Sequence, residues 1–152
     1  MKDRKKDKLP VVLINFGKQG NTGQIDKGIP WNSIGLEYVA ASLLDKGYET
    51  ALIDMVSDSL TDRHVLEILK RDYDSQFIIG LNPTIQNRAY ADQFLGLLKK
   101  RNNVFAVIGG YDASFVDFED YQNIDAIIRG EGEEIIVQLA ERLSKKQAIE
   151  GI

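Results

Sequence analysis

The chain has 152 residues with 23 acidic and 19 basic side chains, a net charge of −4, one histidine and no cysteine. The lack of cysteine excludes disulfides, thiolate metal sites, iron–sulfur ligation and cysteine nucleophiles within these residues, and a single histidine makes a zinc site improbable. Hydrophobic residues at 43% and charged ones at 28% are ordinary globular usage, and the length suits one domain of ~100–200 residues.

Charge is concentrated at the start, where Lys2 to Lys8 holds five basic and two acidic residues. We expect residues 1–8 to be a charged, disordered leader and 9–152 a single domain. No apolar run approaches the ~20 residues of a membrane helix, and the charged start lacks a signal-peptide pattern. The expected location is therefore cytoplasmic, with no membrane partner. Outside the leader the chain is acidic, which argues against a nucleic-acid partner.

Short apolar runs rich in β-branched residues then alternate with segments of helical period. Pro10 to Phe16 reads as a first strand ended by Gly17. From Ile34 to Lys46 the apolar residues Leu36, Val39, Ala40, Leu43 and Leu44 form the stripe of an amphipathic helix, and Gly47 follows where a helix C-terminus favours glycine. Thr50 to Asp54 is a second strand. Thr61 or Asp62 caps a second helix that buries Val65, Leu66 and Leu69. Phe77 to Leu81 is a third strand, followed by a helix from about Gln86 to Arg101. Val104 to Ile108 is a fourth strand closed by Gly109-Gly110, and Ile124 to Ile128 a fifth. The last helix starts near Glu133 and buries Ile135, Ile136, Leu139 and Leu143, with Glu131, Glu133 and Glu134 complementing its dipole.

Strands apolar on both faces and separated by helices predict an α/β protein: a flavodoxin-like (Rossmann-like), doubly wound, five-stranded parallel sheet of order 2-1-3-4-5. Ligands of such sheets bind outside the carboxyl ends of the strands, where the strand order reverses. The loops to inspect are therefore Gly17 to Ser33, Asp54 to Ser57, Asn82 to Gln86, Gly109 to Ser114 and Arg129 to Glu133.

The first of these is long for such a connection, where ~2–6 residues is usual. Its glycines, Gly17, Gly20, Gly23 and Gly28, match neither the dinucleotide fingerprint nor a P-loop, because Pro30 separates them from the helix and Ile29 stands where a P-loop needs lysine. Gly109-Gly110 allows a sharp turn or close approach of a ligand. Arg129-Gly130-Glu131-Gly132-Glu133 places a cation, two acids and two glycines at a strand-to-helix junction, which fits either a ligand site or a capped helix start with a local Arg–Glu pair. Asn82-Pro83-Thr84 offers an amide and a hydroxyl. His64 lies on the second helix beside Asp62 and Glu67, where a solvated position is expected and a serine triad is not. Asn15 and Leu81-Asn82 occupy the positions where a signalling receiver domain needs acids. No self-sufficient catalytic or metal site assembles from these residues.

In order, Pro30-Trp-Asn-Ser-Ile-Gly35-Leu36-Glu-Tyr-Val-Ala-Ala41, Gly47-Tyr48, Ile79-Gly-Leu-Asn-Pro-Thr84, Val107-Ile-Gly-Gly-Tyr-Asp-Ala-Ser114 and Arg129-Gly-Glu-Gly-Glu133 resemble the N-terminal cobalamin (vitamin B12)-binding domain of class B radical SAM enzymes, methyltransferases among them. The resemblance covers about Leu9 to Ile152. It implies a cobalamin-binding domain that carries methyl groups on cobalt and is not catalytic alone, with Gly17, Gly35, Leu36, Asn82, Thr84, Gly109, Gly110, Tyr111, Arg129, Gly130 and Glu131 as cofactor-binding residues. It also implies a radical SAM barrel, in cis or in trans, holding the S-adenosylmethionine and a 4Fe-4S cluster in a C-terminal domain missing here. Cobalamin domains of the methionine-synthase type carry Asp-x-His-x-x-Gly after the first strand. Asn15-Phe-Gly-Lys-Gln-Gly20 has no histidine, so the expected cobalamin has no protein histidine on cobalt. The family's Pro-His after Gly-Gly is Tyr111-Asp112 in this chain. The alternative reading is a cofactor-free scaffold or protein-interaction domain of the same fold.

Overall fold

The computed structural model describes residues 8–16, 33–100 and 103–150. Five strands, β1 (Val11–Asn15), β2 (Thr50–Asp54), β3 (Phe77–Leu81), β4 (Val104–Ile108) and β5 (Ala126–Ile127), form one parallel sheet of order β2-β1-β3-β4-β5. The helices are α1 (Ile34–Asp45), α2 (Asp62–Asp72), α3 (Arg88–Lys99) and α4 (Gly132–Ser144). This is the flavodoxin-like arrangement that the alternating patterns predict. None of the described helices is long and apolar enough to cross a membrane.

Each face of the sheet has its own core. Val12, Ile14, Ile79, Leu81, Ala106 and Ile108 pack with Val65 and Leu69 of α2 and Phe94, Leu95 and Leu98 of α3. On the opposite face Val11, Leu13, Ile78 and Val107 pack with Ala40 and Leu43 of α1 and Ile136, Leu139 and Ala140 of α4. β1 and β3 are buried along their whole length, as helices on both faces require. β2 lies at the edge, where Leu52 remains 42% exposed.

Local chemistry sets the element ends. Past α1, Gly47 adopts a φ of +74°, and the amides of Gly47 and Tyr48 donate to the carbonyls of Leu44 and Leu43 at 2.9 and 3.0 Å. Only glycine enters that left-handed conformation without a Cβ penalty. At the start of α2 the cap is Thr61. Its hydroxyl accepts from the amide of His64 at 3.3 Å, and its own amide donates to His64 Nδ1 at 3.2 Å. The lone histidine thus serves a helix cap.

The structure departs from the sequence expectation at β5, at α3 and in the connection between β4 and β5. β5 is only Ala126–Ile127, because the Asp125 carboxylate accepts the Ala106 amide at 2.7 Å where a strand would offer a backbone carbonyl. α3 starts at Arg88 after a 3-10 turn over Ile85–Asn87, later than Gln86, and Arg101 lies outside the described residues. Two further 3-10 turns, Tyr111–Phe115 and Phe118–Asp120, fill the connection from β4 to β5. Of the expected leader only Lys8 is described. It donates to the Lys46 carbonyl, and its ammonium lies 4.6 Å from the centre of the Tyr48 ring.

Candidate functional site

Side chains alternate between faces along a strand, so register assigns the residues at the carboxyl ends to rows. Leu13 pairs with Gly80 and Gly80 with Val107, which makes one row across β1, β3 and β4 on the α1/α4 face. Two residues further toward the carboxyl ends, Asn15, Asn82 and Gly109 point to the same face. The first row lacks a side chain at its centre and the second lacks one at its end.

The amides of the second row hold one another. Asn15 Nδ2 donates to Asp54 Oδ1 at 3.1 Å, and Asn82 Nδ2 donates to Asn15 Oδ1 at 3.3 Å and to Ser33 Oγ at 3.0 Å. Asn82 Oδ1 accepts from the Phe16 amide at 3.1 Å. Asp54 also accepts from the amides of Val56 and Ser57 and the Ser57 hydroxyl, each at 2.9 Å. Burial pushes the Asp54 carboxyl up, but these hydrogen bonds outweigh it and leave the pKa below the ordinary value. The network ties β1, β2, β3 and the start of α1 together where the strand order reverses.

Beside this network a cleft of about 630 Å³ opens between the sheet and the N-terminal halves of α1 and α4. Leu13, Val107, Ile128 and Ile136 are its buried apolar walls, joined by Leu36 and Val39 of α1. Gly80 lies among them, and a Cβ there would stand 2.8 Å from Leu13 Cδ2. Around the mouth are Thr84, Gly109, Gly110, Tyr111, Asp112, Ser114, Gly130, Glu131 and Glu133. Among the described residues the lining contains three carboxylates, Asp112, Glu131 and Glu133, and no lysine, arginine or histidine.

Glycine conformation shapes the rim. Gly110 has φ +94° and ψ −178°, a region essentially reserved for glycine, and a Cβ there would meet the Asn82 Cβ at 3.4 Å. Gly130, at φ +79°, turns the chain from β5 into α4. Asp112 fastens the rim across the cleft, with its Oδ2 accepting from the Ile85 amide at 2.8 Å. Tyr111, 82% exposed, packs its ring against that of Phe115 in a tilted pair with centroids 5.3 Å apart.

The cleft brings together Gly35, Leu36, Asn82, Thr84, Gly109, Gly110, Tyr111, Gly130 and Glu131 of the candidates read from the sequence. Arg129 does not line it. Its Nη2 donates to the Val116 carbonyl at 2.7 Å and lies 3.5 Å from Asp117 Oδ1, so the cation braces the connection before β5 and makes no pair with the neighbouring glutamates. Gly17 lies outside the described residues. Gly80 and the apolar walls Leu13, Val39, Val107 and Ile136 were missed as site residues. A glycine inside an apolar strand, in phase with Asn82, was the signal for Gly80. Among the described residues no group of three or more His, Asp or Glu side chains is placed to hold a metal ion.

Sheet, switch point and cleft define a Rossmann-like small-ligand-binding domain. The chain belongs to the B12 binding domain family, whose model matches residues 28–140. It is 32% identical over 123 residues to an uncharacterized methyltransferase of Pyrococcus horikoshii, an alignment that covers 78% of this chain and 26% of that protein. Among solved structures it is similar in fold to the radical S-adenosylmethionine methyltransferase TsrM from Kitasatospora setae with cobalamin and a 4Fe-4S cluster bound, with a TM-score of 0.73 and 18% identity over 92% of this chain and 25% of that one. A second is the cobalamin-dependent S-adenosylmethionine radical enzyme OxsB with aqua-cobalamin and S-adenosylmethionine bound, with a TM-score of 0.74 and 23% identity over 93% of this chain and 20% of that one. The chain thus spans about a quarter or less of each of these proteins.

Proposed function

We propose that this chain binds cobalamin at the carboxyl ends of the sheet, with the nucleotide tail entering the cleft beneath Gly109 and Gly110 and the corrin lying across its mouth. The row Leu13–Gly80–Val107 carries this reading, because the missing side chain at its centre leaves a slot at the switch point of a chain matched to the B12 family. A volume of about 630 Å³ falls within the ~300–1,000 Å³ of small-molecule sites. The charge at the mouth also fits. Among the described residues the mouth offers three carboxylates, which suit the amide donors on the edge of a corrin.

In this reading Gly109, Gly110, Gly130, Thr84 and Asn82 surround the tail, Gly35 and Leu36 approach it from α1, and Tyr111 and Glu131 meet the corrin edge. Arg129 acts by holding the Val116 segment in place. Gly17 remains a candidate from the sequence alone, since it lies outside the described residues. When bound, cobalamin supplies methyl carriage through its cobalt. The domain contributes orientation and exclusion of water. The chain's one histidine is committed to the α2 cap, on the other face of the sheet, so cobalt would receive no imidazole from this chain. The partner would be a radical SAM barrel, in cis as in the longer relatives or in trans, that brings the S-adenosylmethionine and the 4Fe-4S cluster. A cytoplasmic location goes with that chemistry.

The test is a visible-absorbance titration of the purified protein with hydroxocobalamin, followed by desalting. The expected result is one retained corrin per chain. A folded but colourless protein would overturn the reading and favour a cofactor-free interaction scaffold.

A further inference from the structure

We propose that the cleft selects corrinoids by the lower base of their nucleotide tail, accepting a benzimidazole and discriminating against a purine. The proposal rests on the reading of the cleft as the tail site. The inner walls are hydrocarbon. Leu13, Val107 and Ile136 are at most 2% exposed, and Val39 and Leu36 close the slot from α1. The polar side chain nearest these walls in the sheet, Asn82, is already engaged, with its oxygen on the Phe16 amide and its nitrogen on Asn15 and Ser33. The backbone of β1, β3 and β4 at this level is spent on the parallel ladder. The free carboxylates stand at the mouth, on Glu131 and Glu133, away from the slot's depth.

A dimethylbenzimidazole presents a hydrocarbon edge to such walls. An adenine presents an exocyclic amino group and two additional ring nitrogens, each a donor or acceptor that leaves water without gaining a partner among the described wall residues. Burial of unsatisfied polar groups weakens binding about tenfold to a hundredfold. Gly80 lines the slot without a side chain, and Leu13 Cδ2 leans over it, 2.8 Å from where a Cβ would stand, so a base entering the slot meets hydrocarbon at its floor.

The experiment compares three probes on the wild-type protein: hydroxocobalamin, its analogue with adenine as lower base, and cobinamide, which has no nucleotide tail. The expected order is hydroxocobalamin tightest, with the adenine analogue at least about tenfold weaker. Cobinamide should also be weaker than hydroxocobalamin. Equal affinity for the two complete corrinoids, both above cobinamide, would overturn base selection and leave the tail in the cleft. Equal affinity for all three would show that the tail does not enter and would overturn the proposal while cobalamin binding stands. Retention of none would remove the underlying reading and the inference with it. Val107→Thr, which places a hydroxyl in the wall with little change of volume, should narrow the ratio between the two complete corrinoids. An undiminished ratio in the folded variant would overturn the hydrocarbon wall as the source of selection.

Discussion

On the α2/α3 face the row Ile14, Leu81 and Ile108 runs unbroken across three strands and is sealed in one cluster with Phe94 and Leu95. One residue back along the same strands, Leu13, Gly80 and Val107 face α1 and α4 and leave a slot. Both faces are built from β-branched and leucine-rich strands, so hydrophobicity alone does not distinguish them. The difference is a pair of absent side chains, Gly80 in the sheet and Gly109 at its end, with a left-handed Gly110 beyond. One face supplies stability and the other supplies volume, which allows the two roles to be tested apart.

Damage to the sealed face should cost stability most. Phe94 is 1% exposed within its cluster, and Phe94→Ala should lower unfolding free energy by about 3–5 kcal/mol, read by denaturant titration. Below the lowered midpoint its cobalamin retention should match the wild type. A loss of binding in the folded variant would erase the separation between the faces. The reverse holds at the rim. Gly110→Val forces a β-branched residue into φ +94° and ψ −178° beside Asn82, and it should abolish retention of cobalamin after desalting while helical circular dichroism persists. Unchanged retention would remove Gly110 from the site.

Gly80→Ala is the milder test. The new methyl would stand 2.8 Å from the end of Leu13, a flexible contact that can give way by moving into the slot. Affinity for hydroxocobalamin should fall about tenfold, which is about 1.4 kcal/mol. Stability should fall by no more than the ~1–3 kcal/mol of an overpacked core. Isothermal titration and thermal unfolding of the same sample separate the two effects. Unchanged affinity would place the ligand elsewhere.

The slot was only half legible in the sequence. β2, β3 and β4 have the expected bounds because uninterrupted apolar runs between turn residues leave little freedom in register. β5 was overextended because Asp125 looks like an ordinary strand residue until its carboxylate is seen to accept the Ala106 amide. The turns at Tyr111–Phe115 and Phe118–Asp120 have no periodicity to detect. Gly109 and Gly110 are visible as a pair after a strand, whereas Gly80 makes sense only beside Leu13 and Val107, a neighbourhood created by strand order. Arg129 is the converse case. A cation among glycines and acids at a strand end suggests a ligand, but its reach to the Val116 carbonyl depends on a turn that sequence patterns do not describe.

A smaller effect comes from Asp54, which anchors the amide network linking the two central strands. Hydrogen bonds hold its carboxyl below the ordinary value despite burial. Its contribution to stability is therefore complete above the unfolded value of about 3.9 and is lost as the pH falls through the lower folded value. Denaturant titrations across that window should show the wild type losing stability more steeply than Asp54→Asn. Equal slopes would mean that the network does not depend on the charge.

The smallest effect is expected at His64, and it bears on the cobalt. Its Nδ1 accepts the Thr61 amide at the start of α2, and α2 packs on the sealed face, opposite the cleft. His64→Ala removes one exposed hydrogen bond and should cost no more than ~1 kcal/mol. Because this is the chain's only histidine, the variant also asks whether any imidazole from the protein reaches the metal. The visible spectrum of bound cobalamin should be the same in wild type and variant. A spectrum that shifts on substitution would put His64 on cobalt, and the sealed face could then no longer be assigned to stability alone.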